Sequence, residues 1–470
     1  MVTRRGLFAA AALATLCGCA PVGPDYKLPD EALVNSPAAQ GAFVAVNADV
    51  TEVAPPDHWW KLFDDPRLDG LIEKALASNI DLRIAQANLE RSDALLEEVR
   101  TGSDFSALAD AGTTYGEASA QQYLNHVKQP TRETYNLGIG ISYDLDLFGG
   151  IRRGIEAASD DKEAVAAARD LARVNVAAET ARAYSDICNA GNELDVLRHT
   201  IEIQRQSLAL TRTLIANGRA PAFEGERQQS LIDNSRAQLA PLTARQQNAA
   251  FRVTVLMGQP PEQYDRTLLD CHTPLKLHAL LPTGDGQAML RRRPDVRAAE
   301  RRLAAATARI GVATAALYPD VKFGASIGST GHTSDFLTGL ANRFSFGPSI
   351  TWNLDQRPIR ARIAETEATT RASLAAFDGT VLTALREAES SLNTYGASLA
   401  RLEQLEASRD EASRVATRTE ELRRGGKVGG LVALDAERTW IAAETAVAAA
   451  QDEINADQMT VFLALGGGWQ

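Results

Sequence analysis

Residues able to do covalent chemistry are few in this chain, and their spacing argues against most of it. Gly324-Ala325-Ser326-Ile327-Gly328 spells the nucleophile-elbow pattern of hydrolases, which needs a sharp strand-to-helix turn that exposes its serine. Apolar and polar residues alternate straight through this string, so Ser326 is predicted to sit within a strand, on its polar side. The six histidines, His58, His126, His199, His272, His278 and His332, are scattered, and none shows the spacing of a metal site. There is no phosphate-binding loop, so any energy source must lie in a partner. The expectation is a protein that is not an enzyme and carries no metal and no cofactor.

The one residue marked for modification is Cys19. Arg4 and Arg5 precede an apolar stretch, Gly6 to Leu16, that is too short to span a bilayer and reads as a secretory signal over residues 1–18. The stretch ends Leu16-Cys17-Gly18-Cys19, which resembles a bacterial lipobox, with Cys19 as the acylated nucleophile. Diacylglycerol is expected on its thiol and palmitate on its amine, two chains that together anchor where one alone is marginal. Ala20 rather than Asp follows, as in lipoproteins sorted to the outer membrane. Cleavage before Cys19 leaves 452 residues and, with Arg4 and Arg5 gone, a charge of 47 − 60 = −13. Cys188 falls in a helical pattern and Cys271 in a loop. An oxidising periplasm permits a disulfide, but nothing in the sequence brings the two together, and both are expected to remain free thiols.

The elements that would carry such a protein follow from composition and periodicity. The chain has 470 residues and a formal charge of 49 − 60 = −11, with no basic tract to meet a phosphate backbone, which excludes nucleic acid as a partner. Aromatic residues make up only 6% and alanine is abundant, a balance suited to long helices packed through small side chains. Mean hydropathy is −0.19, and no charge-free run of 18 apolar residues occurs, which excludes membrane-spanning helices but leaves a membrane β-barrel open.

The chain is written twice. Asp81-Leu82-Arg83 returns as Asp295-Val296-Arg297, an offset of 214. The stripe Leu82, Ala85, Leu89, Ser92, Leu96, Val99 is matched in register by Val296, Ala299, Leu303, Ala306, Ile310, Ala313, both in the 3, 4 rhythm of a helix seam. Strands are predicted after each. Tyr135 to Phe148 alternates between Tyr135, Leu137, Ile139, Ile141, Tyr143, Leu145, Leu147 and a face of Gly, Ser, Asn and Asp, and Phe344 to Asp355 repeats the pattern. Partner strands are expected near 105–117 and 321–330. Long helices follow, from about Ile151 to Asn217 and about Arg360 to Arg424, each about 100 Å long at 1.5 Å per residue. They end at Gly218 and at Gly425-Gly426, as C-caps do. Returning helices are predicted to run to about Met257, starting near Pro221, and from about Leu431 to Ala464, with an irregular surface connector over 259–287.

Such alternation serves a membrane barrel or a soluble half-buried sheet equally well. As a barrel, four strands cannot close, and an open sheet edge cannot sit in lipid with its N–H and C=O groups unpaired. Closure therefore requires several chains. Two would give eight strands and three would give twelve; an eight-stranded barrel is filled by its own side chains, whereas small polar residues on the inner face imply a lumen. Three chains fit better.

The stretch Trp59-Trp60-Lys61-Leu62-Phe63-Asp64-Asp65-Pro66-Arg67-Leu68-Asp69 through Asn79-Ile80-Asp81-Leu82 resembles the opening signature of the outer membrane factor family. These are the TolC-like lipoproteins of tripartite efflux pumps, here of the NodT/OprM-like kind. Three further stretches agree: Leu256-Met257-Gly258-Gln259-Pro260-Pro261, Leu290-Arg291-Arg292-Arg293-Pro294-Asp295-Val296 and Ala464-Leu465-Gly466-Gly467-Gly468-Trp469. The resemblance implies an α+β membrane protein, a homotrimeric duct. It would combine a twelve-stranded outer-membrane β-barrel, four strands per chain, with a periplasmic α-helical barrel and an equatorial domain, built from two internal repeats. Residues 19–58 would form a lipidated N-terminal segment, 59–258 the first repeat, 259–287 a connector in the equatorial region and 288–469 the second repeat, with its strands near 321–330 and 344–355. The implied role is an exit channel in the cell outer membrane, lipid-anchored and barrel-inserted. It would pass drugs or other small molecules from an inner-membrane resistance-nodulation-division pump and a periplasmic adaptor (membrane fusion) protein. A duct for secreted polypeptide and a non-conducting structural lipoprotein are the alternatives. In such a trimer both helix turns, Asn217 to Ala222 with Gly218 and Pro221, and Arg423 to Gly430, fall at the periplasmic tip. Arg423, Arg424 and Lys427 are then candidate gate residues, and Gly425 and Gly426, with Gly429 and Gly430, would let the turn move. The turn is basic, whereas family members often carry an acidic ring there.

Overall fold

A computed structural model of the chain describes residues 21–45, 50–117, 119, 127–128 and 130–467. In chain order the elements are α1 (Pro37–Gln40), β1 (Val50–Thr51), α2 (Pro66–Ser78), α3 (Ile80–Arg100), β2 (Ser106–Gly116), β3 (Arg132–Asp144) and α4 (Gly150–Ala216). Next come α5 (Ala222–Ala237), α6 (Leu239–Leu256), β4 (Leu281–Pro282), α7 (Gly286–Arg292), α8 (Pro294–Ala315), β5 (Asp320–His332), β6 (Asn342–Thr351), α9 (Arg357–Arg424) and α10 (Gly430–Ala464). Two compact units result. One holds residues up to Pro29 together with 88–165 and 298–377, and the other holds 30–87, 166–297 and residues from Asp378 onward. Among the described residues no helix is long and apolar enough to cross a membrane.

In the first unit β2, β3, β5 and β6 form one antiparallel sheet in that order, so β3 and β5 join the two halves of the chain. Regular alternation predicted strands out to Phe148 and Asp355, but the strands stop earlier. The Asp146 carboxylate turns back to accept the Ile151 and Arg152 backbone N–H groups at 3.0 and 2.9 Å, and Asp355 accepts from Arg357 N–H. Each is the acidic cap of the long helix that follows, a use of Asp that competes with strand pairing.

In the second unit a seven-residue spacing along α4, Ile187, Leu194, Ile201, Leu208 and Ile215, marks its seam: the first four are buried and Ile215, near the turn, is half-buried. Two expectations fail here. The first returning helix is not continuous. It breaks at Gln238, between α5 and α6, because Pro241 has no N–H to offer Ala237 and its ring crowds that carbonyl. The connector is not merely surface loop either. Its Leu268, Leu275 and Leu281 are buried, and β4 pairs in parallel with β1 through Val50–Leu281 and Thr51–Pro282.

The cysteines also depart from expectation. Cys188 and Cys271 form a disulfide across 83 residues of sequence, not two free thiols. The Asp265 carboxylate caps the short 3-10 turn Arg266–Asp270, and Gln246 Nε2 donates to the carbonyls of Leu269 and Ile187. That amide ties the connector to α4. Gly191 completes the approach: a Cβ there would lie 2.1 Å from the Cys271 carbonyl oxygen.

The four sequence stretches quoted above meet at joints of this second unit. Trp59 stacks on Phe462 at 4.5 Å, and a Cβ on Gly467 would come within 2.8 Å of Trp59 Cδ1. Asn79 caps α3 by accepting from Asp81 and Leu82 N–H, while its Nδ2 donates to the Leu256 carbonyl. Arg293, buried just before Pro294 opens α8, donates to the Ala464 carbonyl at 2.7 Å, to Asp295 and to Glu387. It thereby satisfies a carbonyl left over at the end of α10. Replacing Arg293 by Met should lower the unfolding free energy by about 2 kcal/mol, the worth of a buried bond to a charged group. Lys should not restore it, lacking the planar fork. Denaturant midpoints of the two variants check this.

Candidate functional site

The sheet of the first unit presents two unlike faces. In an antiparallel pair, residues directly opposite share a face. Register therefore aligns Ala107 with Ile141, Ala109 with Ile139, Ile139 with Ile327 and Ile327 with Phe344. Among the described residues these side chains stay exposed: Ile139 is 55% exposed, Ile327 67% and Phe344 87%. An exposed apolar surface of this extent marks contact with lipid or another chain. Tyr135 on the same face is buried instead, because the β5–β6 loop folds against it. Its hydroxyl meets Ser329 Oγ at 2.6 Å and accepts from Leu337 N–H, with Phe336 against its ring.

The opposite face carries Gly140, Ser142, Ser326 and Ser345, as expected, with Ser326 Oγ hydrogen-bonded to Ser345 Oγ at 2.8 Å. Ser326 is thus a strand residue paired to another hydroxyl, with no helix behind it to form a nucleophile elbow. Two residues that the expectation of small side chains missed also stand on this face. Lys322 pairs with Asp144 at 2.7 Å, and Arg343 lies opposite Gly328. Among the described residues β2 and β6 each have one neighbour, so each leaves an edge unpaired.

The two helix turns share one geometry. After α4, Gly218 N–H donates to the Ile215 carbonyl and Arg219 N–H to that of Leu214; after α9, Gly426 N–H donates to Arg423 and Lys427 N–H to Leu422. This is the Schellman arrangement, which requires a left-handed residue. Gly218 and Gly426 supply it with φ of +66° and +69°. Gly425 is the residue before and needs no positive φ. Pro221 stands at the N-cap of α5, one residue ahead of its first turn. Gly430 at the start of α10 lies against Leu210 and Leu214 near the end of α4, so both turns belong to the same end of the helix pairs.

Glu420 is the residue the sequence reading overlooked at this end. Arg423 binds it through Nε and Nη2 at 2.6 and 2.7 Å, and Arg424 through Nε at 2.9 Å. A signal existed: acidic and basic residues three and four apart on one helix face. The Arg423 hydrogen bond, helped by Arg424, holds the Glu420 carboxyl down at about 2. Lys427 is exposed, and no charged partner pairs with it among the described residues. Burial raises the carboxyl of Glu437, which faces the same cluster from α10. Because the folded value for Glu420 lies below the unfolded one, its contribution is present above about pH 4.5 and lost as pH falls through about 2. Glu420→Gln at pH 7 should therefore speed amide exchange in the 425–429 turn by about two- to fivefold, as losing two exposed helix pairs implies. Wild type should show the same loss of protection, taken relative to the intrinsic exchange rate at each pH, only near pH 2.

Cys19 lies outside the described residues. The segment shortly after it is held firmly within the first unit. Val22 N–H donates to the Phe148 carbonyl, and Arg153 binds the Val22 and Gly23 carbonyls, Asp25 and Glu156. Gly23, at φ +90°, passes so close to α8 that a Cβ would lie 2.4 Å from Gly311 Cα. No cluster of metal-ligating side chains occurs among the described residues.

Comparison with known proteins bears on this arrangement directly. The family model for outer membrane efflux proteins matches residues 71–259 and 286–467. The chain is 29% identical over 380 residues to nodulation protein T of Rhizobium leguminosarum bv. trifolii, covering 80% of this chain and 79% of that one. It is 30% identical over 489 residues to the toluene efflux pump outer membrane protein TtgF of Pseudomonas putida, covering 97% and 95%. Among solved structures, the outer-membrane channel OprN superposes with a TM-score of 0.85 at 34% identity, over 95% of this chain and 99% of that one.

Proposed function

The chain belongs to the outer membrane efflux protein family, a non-enzymatic outer-membrane exit channel, and on that premise we propose that it works as a homotrimer in a tripartite pump. The observation that carries this is the four-stranded sheet with two unpaired edges and an exposed apolar face. Such a sheet is stable in lipid only when its edges pair with further copies. Three chains give twelve strands, with the apolar face toward lipid and the polar face around a lumen wide enough for solute.

The partners proposed are a periplasmic adaptor protein and an inner-membrane pump of the resistance-nodulation-division type, which supplies the energy that this chain has no motif to harvest. The cargo proposed is drugs or other small molecules; a relative is named for toluene efflux. Cys19 is proposed as the lipid anchor. The clamp of Arg153 on residues 22–25 favours this, since it holds the start of the mature chain beside Phe148, where β3 gives way to α4. The turns with Gly218 and Pro221 and with Arg423, Arg424, Gly425, Gly426 and Lys427 are proposed as the periplasmic aperture. Arg423 and Arg424 there brace the turn through Glu420, and Lys427 is left, among the described residues, as an unpaired cation to face the passage.

Purified protein in detergent should have the mass of three chains and should conduct in planar bilayers. Labelled palmitate should enter wild type but not Cys19→Ser. A monodisperse monomer of full β content would refute the trimer. A trimer that never conducts would favour a structural lipoprotein, and rescue of polypeptide secretion rather than drug efflux in a strain lacking its own channel would favour the secretion duct.

A further inference from the structure

One hydrogen-bonded chain of polar groups crosses the whole four-stranded sheet. Asp110, Gly138, Gly328 and Arg343 form a single row in register, one residue from each strand. The two charged residues stand at its ends and lean over the two glycines between them. Arg343 Nη2 donates to Asn136 Oδ1 at 2.9 Å, and its Nε donates to Thr330 Oγ1 at 3.0 Å. Thr330 Oγ1 donates in turn to Asn136 Oδ1 at 2.8 Å, and Asn136 Nδ2 donates to the Asp110 carboxylate. The glycines are what allow this. A Cβ at Gly138 would lie 2.7 Å from Asp110 Oδ1 and 3.1 Å from Arg343 Nη2, and one at Gly328 would lie 3.3 Å from Arg343 Cζ. No carboxylate pairs directly with Arg343 among the described residues; the Asp110 carboxylate faces it across Gly138, so the two opposite charges are held near each other without forming an ion pair.

We propose that Arg343 and Asp110 are the specificity-determining charges of the barrel lumen. This rests on the trimeric duct described above. Closing three sheets around one axis repeats the row three times, a belt of three guanidinium and three carboxylate groups around the lumen. Rings of charged side chains set the selectivity of a pore, and they do so best when the charges cannot drift. An unrestrained arginine on a small-residue face would sweep through many rotamers; here two hydrogen bonds and a glycine floor fix it. The guanidinium lies along the sheet instead of projecting from it, so the belt sorts solutes by charge without narrowing the passage. Anionic groups of a passing molecule are drawn to Arg343 and cationic groups to Asp110. A solute carrying both is therefore favoured over one of single sign.

The test is single-channel recording in planar bilayers under a potassium chloride gradient, with selectivity read from the largest conductance level. Arg343→Gln should raise the cation-over-anion permeability ratio and Asp110→Asn should lower it, each about two- to threefold, the size expected of one exposed charge per chain. The double variant should return near wild type, and single-channel conductance should change little in all three. Gly138→Ala should act otherwise: it lifts Arg343 off its floor, so conductance falls while the sign of selectivity is kept. Heat-resistance of the oligomer on gels confirms that each variant is assembled. Wild-type trimers that carry no current would overturn the duct, and the belt with it. Assembled channels that conduct with the same ratio in every variant, or that shift in the same direction for Arg343→Gln and Asp110→Asn, would overturn the belt alone.

Discussion

Arginine in place of Ile139 is expected to cost each chain about 2–4 kcal/mol of stability in a bilayer, the range for a cation on the lipid face near the midplane. Ile139 sits mid-strand in β3, on the face it shares with Ala109 and Ile327, and is 55% exposed in the chain by itself. In water such a position tolerates any side chain, so the penalty should appear only where lipid replaces water. Urea titration of protein reconstituted in vesicles should show the loss, while the same variant in detergent should retain its β content. Ser142→Arg is the control: Ser142 lies opposite Gly324 on the other face of the same strand, and its replacement should leave stability in vesicles unchanged. Equal loss for both variants would mean that the two faces see the same surroundings, and the barrel would have to be abandoned.

Reduction of the Cys188–Cys271 bond is expected to cost about 4 kcal/mol, because it frees a long closed loop in the unfolded chain. The loop it closes contains the α4–α5 turn and all of α5 and α6. Losing it should therefore loosen the connector against α4 and leave the four-stranded sheet, which lies in the other unit, as it was. Cys188→Ala/Cys271→Ala should unfold at lower denaturant, and dithiothreitol should shift wild type to the same midpoint without affecting the double variant. Hydrogen exchange should rise in residues 261–275 and around Gly191, where the Cys271 carbonyl makes its closest approach. If reductant left the wild-type midpoint unmoved, the two cysteines would be bystanders of a joint held by Gln246 and the buried Leu268.

Period alone determined a good deal of this protein. The seam of Ile187, Leu194, Ile201 and Leu208 and the alternation of Leu137, Ile139 and Ile141 are local facts, since a repeat of seven or of two fixes which side chains share a face. The glycines that end α4 and α9 were equally legible, because a left-handed C-cap has few other occupants. What tertiary structure decided were the pairings between distant residues. Pro241 breaks the returning helix, but only the fold shows that α6 still carries Gln246 to the connector. Asp146 reads as one more polar strand position until α4 claims it as a cap. Trp59, Arg293 and Gly467 are conspicuous in the sequence, yet that they form a single joint depends on α10 bringing Phe462 and Ala464 back to them. Cys188 and Cys271 had no local reason to meet. Arg343 and Asp110 lie 233 residues apart, and only the register of four strands puts them in one row, with two glycines between them small enough to let them lean together. Periodicity specifies a face; which residue stands opposite which is settled by strand register and helix packing, and those depend on the whole chain.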